Sequence, residues 1–345
     1  MTRQIKVGNV KIGGGAPISI QSMAKTDTRD VAATVRQIKE LEKAGCEIIR
    51  VAVKDFEAVE AIKGIKRKIN LPLVADIHFD YRLALRAIEN GADKIRLNPG
   101  NIYKVDQIKE IVKSAKKRRI PIRVGTNSGS LKIIPSPKPS PQRGEGRVRG
   151  YNLVDEMVKS TLNYIKILER MDFYDIIVSL KASDVLSTIE AYKLFSKKSR
   201  YPLHLGVTAA GSFSTGIVKS SIGIGALLLD GIGDTVRVSL TGDPVEEVTA
   251  AKNILQALDI RRFGPEIISC PTCGRCQVNL KNIVTELSSR FKVQGSRGKQ
   301  KHKLEDGALS QTYKIAVLGC EVNGPGEAME ADIGIACGKG SGVIF

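Results

Sequence analysis

The first 240 residues contain eight short segments rich in β-branched residues, and helical stretches separate most of them. The segments are "ISIQS" (18–22), "EIIRVAV" (47–53), "PLVADIHF" (72–79), "KIRLNPG" (94–100), "PIRVGTN" (121–127), "DIIVSLKAS" (175–183), "PLHLGVT" (202–208) and "DTVRVSL" (234–240). Between two of them, "TVRQIKELEKAG" (34–45) has apolar residues at helical spacing and a glycine where a helix would stop. Alternating strands and helices predict a parallel sheet, and eight such units predict an α/β (β/α)8 TIM-like barrel.

Nearly all of these segments have polar side chains at or near their C-terminal ends. Because barrel active sites are built at the C-terminal ends of the strands, these side chains are the candidate site. Five of the segments carry Arg or Lys, and such a ring of cations repels itself unless a polyanion occupies it. The sequence therefore predicts a small substrate with phosphate or diphosphate groups, bound by Arg50, Asp76, Arg96, Asn98, Arg123, Asn127, Lys181, Arg237 and Ser239. Gln21, His78, His204 and Thr208 complete the polar set.

Two polar stretches interrupt the pattern, "PSPKPSPQRGEGRVRG" (135–150) and "VQGSRGKQKHKLEDG" (293–307). Both lack the apolar residues needed for a core, so each is predicted to be a disordered insertion. Residues 132–149 and 290–306 together hold eleven basic and three acidic residues. Much of the net charge of +18 therefore lies in the insertions and not on a nucleic-acid surface, and the chain has no Trp for base stacking.

The sequence "RRFGPE" (261–266) follows the last barrel helix and predicts a domain boundary. We expect a substrate-binding barrel over residues 1–262 and a small α+β domain over 263–345, with strands at 314–319, 332–337 and 342–345. No stretch is apolar enough for a membrane span or a signal peptide. A cytoplasmic protein that binds neither membrane nor nucleic acid is expected.

The small domain opens with "ISCPTCGRCQVNL", which spaces Cys270, Cys273 and Cys276 two residues apart. A bacterial ferredoxin run would need a fourth cysteine at position 280, which is Leu. A radical-SAM cluster would need a longer first gap. A zinc ribbon would need a second pair, whereas Cys320 and Cys337 are singletons. The spacing alone leaves the remaining ligands open.

The stretch "LGCEVNGPGEAMEADIGIA" (318–336) stands beside "SCPTCGR", "DIHFDYRLAL", "IRLNPGNI", "LHLGVT" and "IGDTVRVSL". With these motifs the chain resembles the 4-hydroxy-3-methylbut-2-enyl diphosphate synthase family over nearly its whole length outside the insertions. The resemblance implies a [4Fe-4S] cluster held by Cys270, Cys273, Cys320 and Glu327, with Cys276 not a ligand. A carboxylate is held less firmly than a thiolate, so one iron would be open to substrate.

The resemblance further implies reductive ring opening and dehydration of 2-C-methyl-D-erythritol 2,4-cyclodiphosphate, for isoprenoid precursor synthesis. His78, His204 and Glu327 are the expected catalytic residues. A ferredoxin or flavodoxin would supply electrons to a head-to-tail homodimer. Ala209 stands where the family usually has Glu. A pterin-type transferase barrel and a zinc-stabilised basic RNA-binding protein remain as alternatives.

Overall fold

The computed structural model describes residues 1–131, 145–208, 210–296 and 313–345 of the chain. These residues divide into two compact units, Met1–Arg261 and Arg262–Phe345. The first unit holds a two-stranded and an eight-stranded sheet, and the second holds a four-stranded sheet. No helix in the described ranges is long and apolar enough to cross a bilayer.

The chain starts with an antiparallel hairpin of β1 (Ile5–Val7) and β2 (Val10–Ile12). Its apolar residues are buried against residues near the starts of three later strands, in a cluster of Ile5, Val7, Ile12, Ile48, Val74 and Ile177. The hairpin thus covers the end of the barrel at which the strands begin. This hairpin is absent from the sequence-based prediction.

Eight parallel strands form a nearly closed barrel, which confirms the predicted fold class. In chain order they are β3 (Ser19–Met23), β4 (Ile48–Val53), β5 (Leu73–Ile77), β6 (Lys94–Leu97), β7 (Ile122–Asn127), β8 (Ile176–Lys181), β9 (His204–Leu205) and β10 (Thr235–Val236). In space they run β8-β7-β6-β5-β4-β3-β10-β9, and a bridge between Val178 and Leu203 joins the two ends. The last two strands are shorter than predicted.

Helices follow the strands around the barrel. They are α1 (Val31–Ala44), α2 (Phe56–Lys66), α3 (Tyr81–Glu89), α4 (Val105–Arg118), the 3-10 turn Ser128–Ser130, α5 (Glu145–Glu169), α6 (Val185–Ser196), α7 (Phe213–Leu229) and α8 (Pro244–Ala257). Five of them begin after an aspartate whose side chain accepts a backbone N–H, which satisfies a free donor of the first turn. α1 ends at Gly45, whose φ of 97° is a left-handed conformation that favours glycine.

The second unit is a small α+β sheet domain. Its elements are β11 (Glu266–Ser269), α9 (Leu280–Ser296), β12 (Lys314–Leu318), α10 (Gly324–Ala328), β13 (Ile333–Gly338) and β14 (Ser341–Ile344). The first three strands are parallel in the order β11-β12-β13, and β14 adds antiparallel. Alternate residues of β12 enter opposite clusters: Ile315 and Val317 pack with Leu280, whereas Ala316 and Leu318 pack with Ala328. Both faces of β12 are therefore covered.

The two predicted insertions differ from the structure at their edges. Residues 145–150 form the first turns of α5, and residues 293–296 form the end of α9, so these positions are not loops. No proline occurs between Pro141 and Pro202, so no proline interrupts α5. The rest of both predicted insertions lies outside the described residues.

Candidate active site

The interior of the barrel is lined with charged side chains. Arg50, Asp76, Arg96, Arg123 and Lys181 come from five consecutive strands, β4 to β8, and each is at most 8% exposed. Side chains alternate between the two faces of a strand, so one inward position on each strand supplies one of these groups. The sequence-based prediction placed them at strand ends. Most lie within the strands instead, because the strands extend beyond these residues toward the barrel mouth.

Asp76 is the acidic centre of this cluster. Arg96 Nη1 donates to Asp76 Oδ1 at 3.1 Å, and Arg50 Nε lies 3.6 Å from Asp76 Oδ2. Burial alone would raise the pKa of Asp76, but the charges of Arg50, Arg96 and Arg123 outweigh it and hold that pKa below its usual range. His78 Nε2 lies 3.9 Å from Asp76 Oδ2, on a side chain that is 44% exposed. Asp76 therefore stays ionised and links a buried arginine pair to a histidine that solvent can reach.

The cations outnumber the acids in this interior. Burial lowers the pKa of Arg50 to about 9, although Asp76 opposes the shift. Burial also lowers the pKa values of Arg123 and Lys181 well below their usual ranges, and neighbouring cations add to both shifts. Nε and Nη1 of Arg123 are buried without a hydrogen-bond partner. An anionic ligand would relieve both the charge excess and the unpaired donors.

A second acid, Glu247, supports the cations on the other side of the barrel. It is 2% exposed in the first turn of α8 and lies 3.5 Å from Arg237 Nη2. It also accepts from the Leu240 backbone N–H at 3.0 Å and lies 2.9 Å from Lys25 Nζ. Sequence reasoning missed Glu247 and Lys25. In the sequence, Glu247 is an acidic residue next to the apolar positions of α8. Residue spacing does not show that its side chain pairs with Arg237.

Two glycines leave room for the cations. A Cβ on Gly125 would lie 2.7 Å from Arg96 Nε, and Arg96 Nη2 donates to the Gly125 carbonyl at 3.1 Å. A Cβ on Gly206, where φ is 155°, would lie 2.7 Å from Lys181 Nζ and 2.5 Å from the Arg237 carbonyl. Each glycine therefore makes space for a long basic side chain beside a neighbouring strand.

The remaining predicted site residues differ from one another in position and burial. Asn98 accepts from the Gly100 N–H at 3.1 Å and from Ser130 Oγ at 3.2 Å, so it fixes the loops after β6 and β7. Half-buried side chains are found at Asn127, Thr208 and Ser239. Gln21 is buried and accepts from Lys94 Nζ at 3.4 Å. Ala209 lies outside the described residues.

His204 differs from its predicted position at the barrel mouth. It is the first residue of β9 and is fully buried, and neither ring nitrogen has a hydrogen-bond partner. Burial lowers its pKa well below the usual value, and Lys181 and Arg123 add to the shift. The prediction was wrong about position because β9 begins at residue 204, so the mouth lies at residues 206–208.

In the second unit, two cysteines follow the C-terminal ends of neighbouring strands. Cys270 directly follows β11, and Cys320 follows β12 with one residue between. These strands are parallel neighbours, with Ser269 opposite Val317, so their C-terminal ends lie side by side. The Gly319 N–H lies 3.4 Å from Cys270 Sγ in a hydrogen bond. Strand topology therefore brings together two residues that are fifty positions apart in the chain.

The cysteines of this unit differ in the acidity of their thiols and in their contacts. Backbone N–H groups of Asn323, Val322 and Gly324 lower the pKa of Cys320, and the backbone and side chain of Arg275 lower the pKa of Cys273. Lower pKa values favour the thiolate, which is the metal-binding form. Cys270 and Cys276 both pack against the apolar cluster around Leu280, and the Cys276 thiol donates to the Val278 carbonyl at 3.3 Å. Burial raises the pKa of Cys337.

The Cys and Glu side chains of this unit are the residues that could hold an iron–sulfur cluster. No three His, Cys, Asp or Glu side chains converge on one point within the described ranges. In a cluster each ligand binds a different iron, so the ligands stand further apart, and N–H donors to sulfur are usual. Glu327 is exposed on α10, in the same unit as Cys320.

Comparisons with known proteins agree with both units. The GcpE TIM-barrel domain family matches residues 2–252, and the GcpE protein C-terminal domain family matches residues 266–345. The chain is 53% identical over its full length to 91% of a protein from Clostridium perfringens, 4-hydroxy-3-methylbut-2-en-1-yl diphosphate synthase (flavodoxin). It is 54% identical, over 100% of its length and 90% of the relative, to a protein of the same name from Caldanaerobacter subterraneus.

Among solved structures, a dihydropteroate synthase from Coxiella burnetii superposes with a TM-score of 0.51 at 12% identity. The superposition covers 75% of this chain and 99% of that one. At this identity the likeness concerns the barrel fold alone.

Proposed function

The chain belongs to the GcpE family, and we propose that it converts 2-C-methyl-D-erythritol 2,4-cyclodiphosphate into 4-hydroxy-3-methylbut-2-enyl diphosphate, an isoprenoid precursor. The reaction takes up two electrons and two protons, opens the ring at a C–O bond and releases one hydroxyl as water. It is therefore an oxidoreductase reaction. The observation that carries the proposal is the surplus of buried cations around Asp76 inside the barrel.

The barrel cations would bind the cyclic diphosphate. Arg123 has two unpartnered buried donors, and Lys181 lies opposite Asn127 in the register of β8 and β7. A diphosphate would accept from these donors and offset the charge that burial now makes costly. Asp76 would orient the Arg50 and Arg96 guanidinium groups without itself touching an anion of like charge. Asn127 and Ser239, half-buried at strand ends, would bind neutral oxygens of the substrate.

His78 would supply a proton to the departing oxygen. Its side chain is the titratable group beside Asp76 that solvent reaches, and its Nε2 is directed toward Asp76 Oδ2. An ionised aspartate at that distance restricts the orientation of the imidazole ring. His204 is too deeply buried to exchange protons with solvent directly, so we assign it no contact with the leaving oxygen.

The second unit would hold a [4Fe-4S] cluster through Cys270, Cys273, Cys320 and Glu327. When bound, such a cluster supplies single electrons and a Lewis-acidic iron. The lowered thiol pKa values of Cys273 and Cys320 favour ligation. Cys276 would stay a packing residue, because its thiol already donates to a backbone carbonyl.

The names of the relatives support a flavodoxin as the electron donor, and a ferredoxin is the alternative. An acidic donor of either kind would be attracted to a chain of net charge +18. From family resemblance alone we propose a head-to-tail homodimer in the cytoplasm. The names of the relatives favour neither the pterin-type transferase nor the RNA-binding alternative, and the likeness to dihydropteroate synthase concerns the fold alone.

The test uses full-length protein purified without oxygen. Reduced flavodoxin and the cyclic diphosphate should give the linear diphosphate, and phosphorus NMR distinguishes ring from chain. Arg96→Met should raise KM roughly ten- to a hundredfold, because a charge-assisted hydrogen bond is lost. Arg118→Met, at an exposed position of α4, should leave KM unchanged. Iron-loaded protein that leaves the cyclic substrate intact would refute the proposed reaction.

A further inference from the structure

The barrel has a polar layer beneath the proposed substrate cations. Ser19, Lys94, His204 and Thr235 are the first residues of β3, β6, β9 and β10, and each is at most 1% exposed. Strand register connects three of them, because Thr235 lies opposite both Ser19 and His204. We call these four residues the basal layer. The N-terminal hairpin packs on the same end of the barrel.

Lys94 makes this layer unusual. It is fully buried, and its only hydrogen bond within the described ranges is a long one, 3.4 Å from Nζ to Gln21 Oε1. No described carboxylate forms an ion pair with it. Burial lowers its pKa well below the usual value, and the charges of Arg123 and Arg50 lower it further. A buried ammonium with cationic neighbours is costly, so it must lose its proton or gain an anion.

The unpartnered atoms around Lys94 distinguish these two outcomes. Gln21 Nε2 can only donate. The hydroxyls of Ser19 and Thr235 and the ring nitrogens of His204 are also unpartnered, and each of these groups can donate one hydrogen bond. None of the unpartnered side chains is restricted to accepting. A set with an obligate donor and no obligate acceptor fits an anion better than a neutral amine.

We propose that the basal layer binds one small monovalent inorganic anion of the halide class, held by Lys94, His204 and Thr235. The layer contributes one cation of its own, so a single negative charge balances it. Lys94 precedes Arg96 by two residues, about 6.6 Å along the strand, so the anion and the diphosphate would occupy different levels of the barrel. The bound anion would also weaken the repulsion between Lys94 and Arg123. This proposal does not depend on the reaction that the enzyme catalyses.

The direct test is diffraction from crystals of the full-length protein grown in sodium bromide. Anomalous data at the bromine edge should show a peak within hydrogen-bond distance of Lys94 Nζ. A peak confined to the upper cations, or no peak inside the barrel, would overturn the proposal. This experiment uses unaltered protein, so it does not depend on whether a variant folds.

A solution test adds matched variants. At constant ionic strength, replacing sodium gluconate by sodium chloride should raise the unfolding midpoint by about 2 to 3 °C when chloride is roughly ten times its Kd. The rise should saturate, and it should disappear in Lys94→Met and shrink in Thr235→Val. Lys109→Met, on the exposed face of α4, should keep it. An equal rise in Lys94→Met would show that chloride acts elsewhere.

Discussion

Replacing Gly125 by alanine tests whether backbone space at β7 positions the central arginine. The added Cβ would lie 2.7 Å from Arg96 Nε and 3.2 Å from Ser179 Oγ, whereas ordinary contact begins at 3.4 Å. Arg96 would have to move by about 0.7 Å, because overpacked side chains relieve a clash by shifting. Its hydrogen bonds to Asp76 and to the Gly125 carbonyl are both 3.1 Å long, near the upper end of normal geometry.

A shift of that size would carry both bonds beyond hydrogen-bond range and turn the guanidinium away from the diphosphate. Losing one charge-assisted bond costs about 1.5 to 3 kcal/mol. We therefore expect kcat/KM of Gly125→Ala to fall roughly ten- to a hundredfold, mainly through KM. The assay is steady-state turnover with a chemical reductant, at matched iron content.

Two controls make the result specific. Gly225→Ala should leave kcat/KM unchanged, because a Cβ at Gly225 in α7 meets nothing within 4 Å. In an Arg96→Met background, Gly125→Ala should cost little more, since the side chain through which it acts is already gone. An equal loss in both backgrounds, or no loss in either, would show that Gly125 does not act through Arg96.

Three other predictions follow from the charges and thiols of the two units. The proposed thiolate ligands are Cys270, Cys273 and Cys320. Replacing any one of them by serine should remove bound iron and visible absorption, whereas Cys276→Ser should keep both. The reaction takes up two protons and His78 supplies one of them, so Ala209→Glu should raise turnover about tenfold at matched iron content by supplying the other; equal rates would show that a different group already supplies it. Asp76→Asn should destabilise the barrel in urea by about 3 kcal/mol at pH 7. Because the folded pKa of Asp76 is lowered, that difference should shrink as pH falls below about 4, and a constant difference would contradict the ion-pair explanation.

The strand pattern predicted the barrel correctly because parallel strands alternate with helices in an order that the chain itself displays. It could not show how deep each polar residue lies. Arg50 and Arg96 were predicted at the mouth, yet both lie within their strands. Depth depends on where a strand starts, and strand starts are set by pairing with neighbours. His204 shows this best, because β9 is only two residues long and His204 opens it.

The short elements were the ones that sequence reasoning missed. β11 has four residues and no alternating pattern, so Cys270 was not expected to follow a strand. The pairing of β11 with β12 places Cys270 beside the strand end that Cys320 follows. The spacing of the cysteines in the sequence does not reveal that pairing. Glu247 was missed for a similar reason, since its role depends on α8 packing against the barrel strands and not on its neighbours in the chain.

The polar interior has a consequence for how this barrel is stabilised. TIM barrels usually fill their centre with layers of branched apolar side chains. Here several of those positions carry Arg, Lys or Asp, and the buried apolar residues lie instead between strands and helices and under the N-terminal hairpin. The centre therefore contributes charge repulsion where other barrels contribute packing. Repulsion between the buried cations destabilises the barrel when no ligand is bound. An anion that binds relieves this repulsion, and the relief contributes to its binding free energy. A site of this kind therefore selects for negative charge more strongly than for shape.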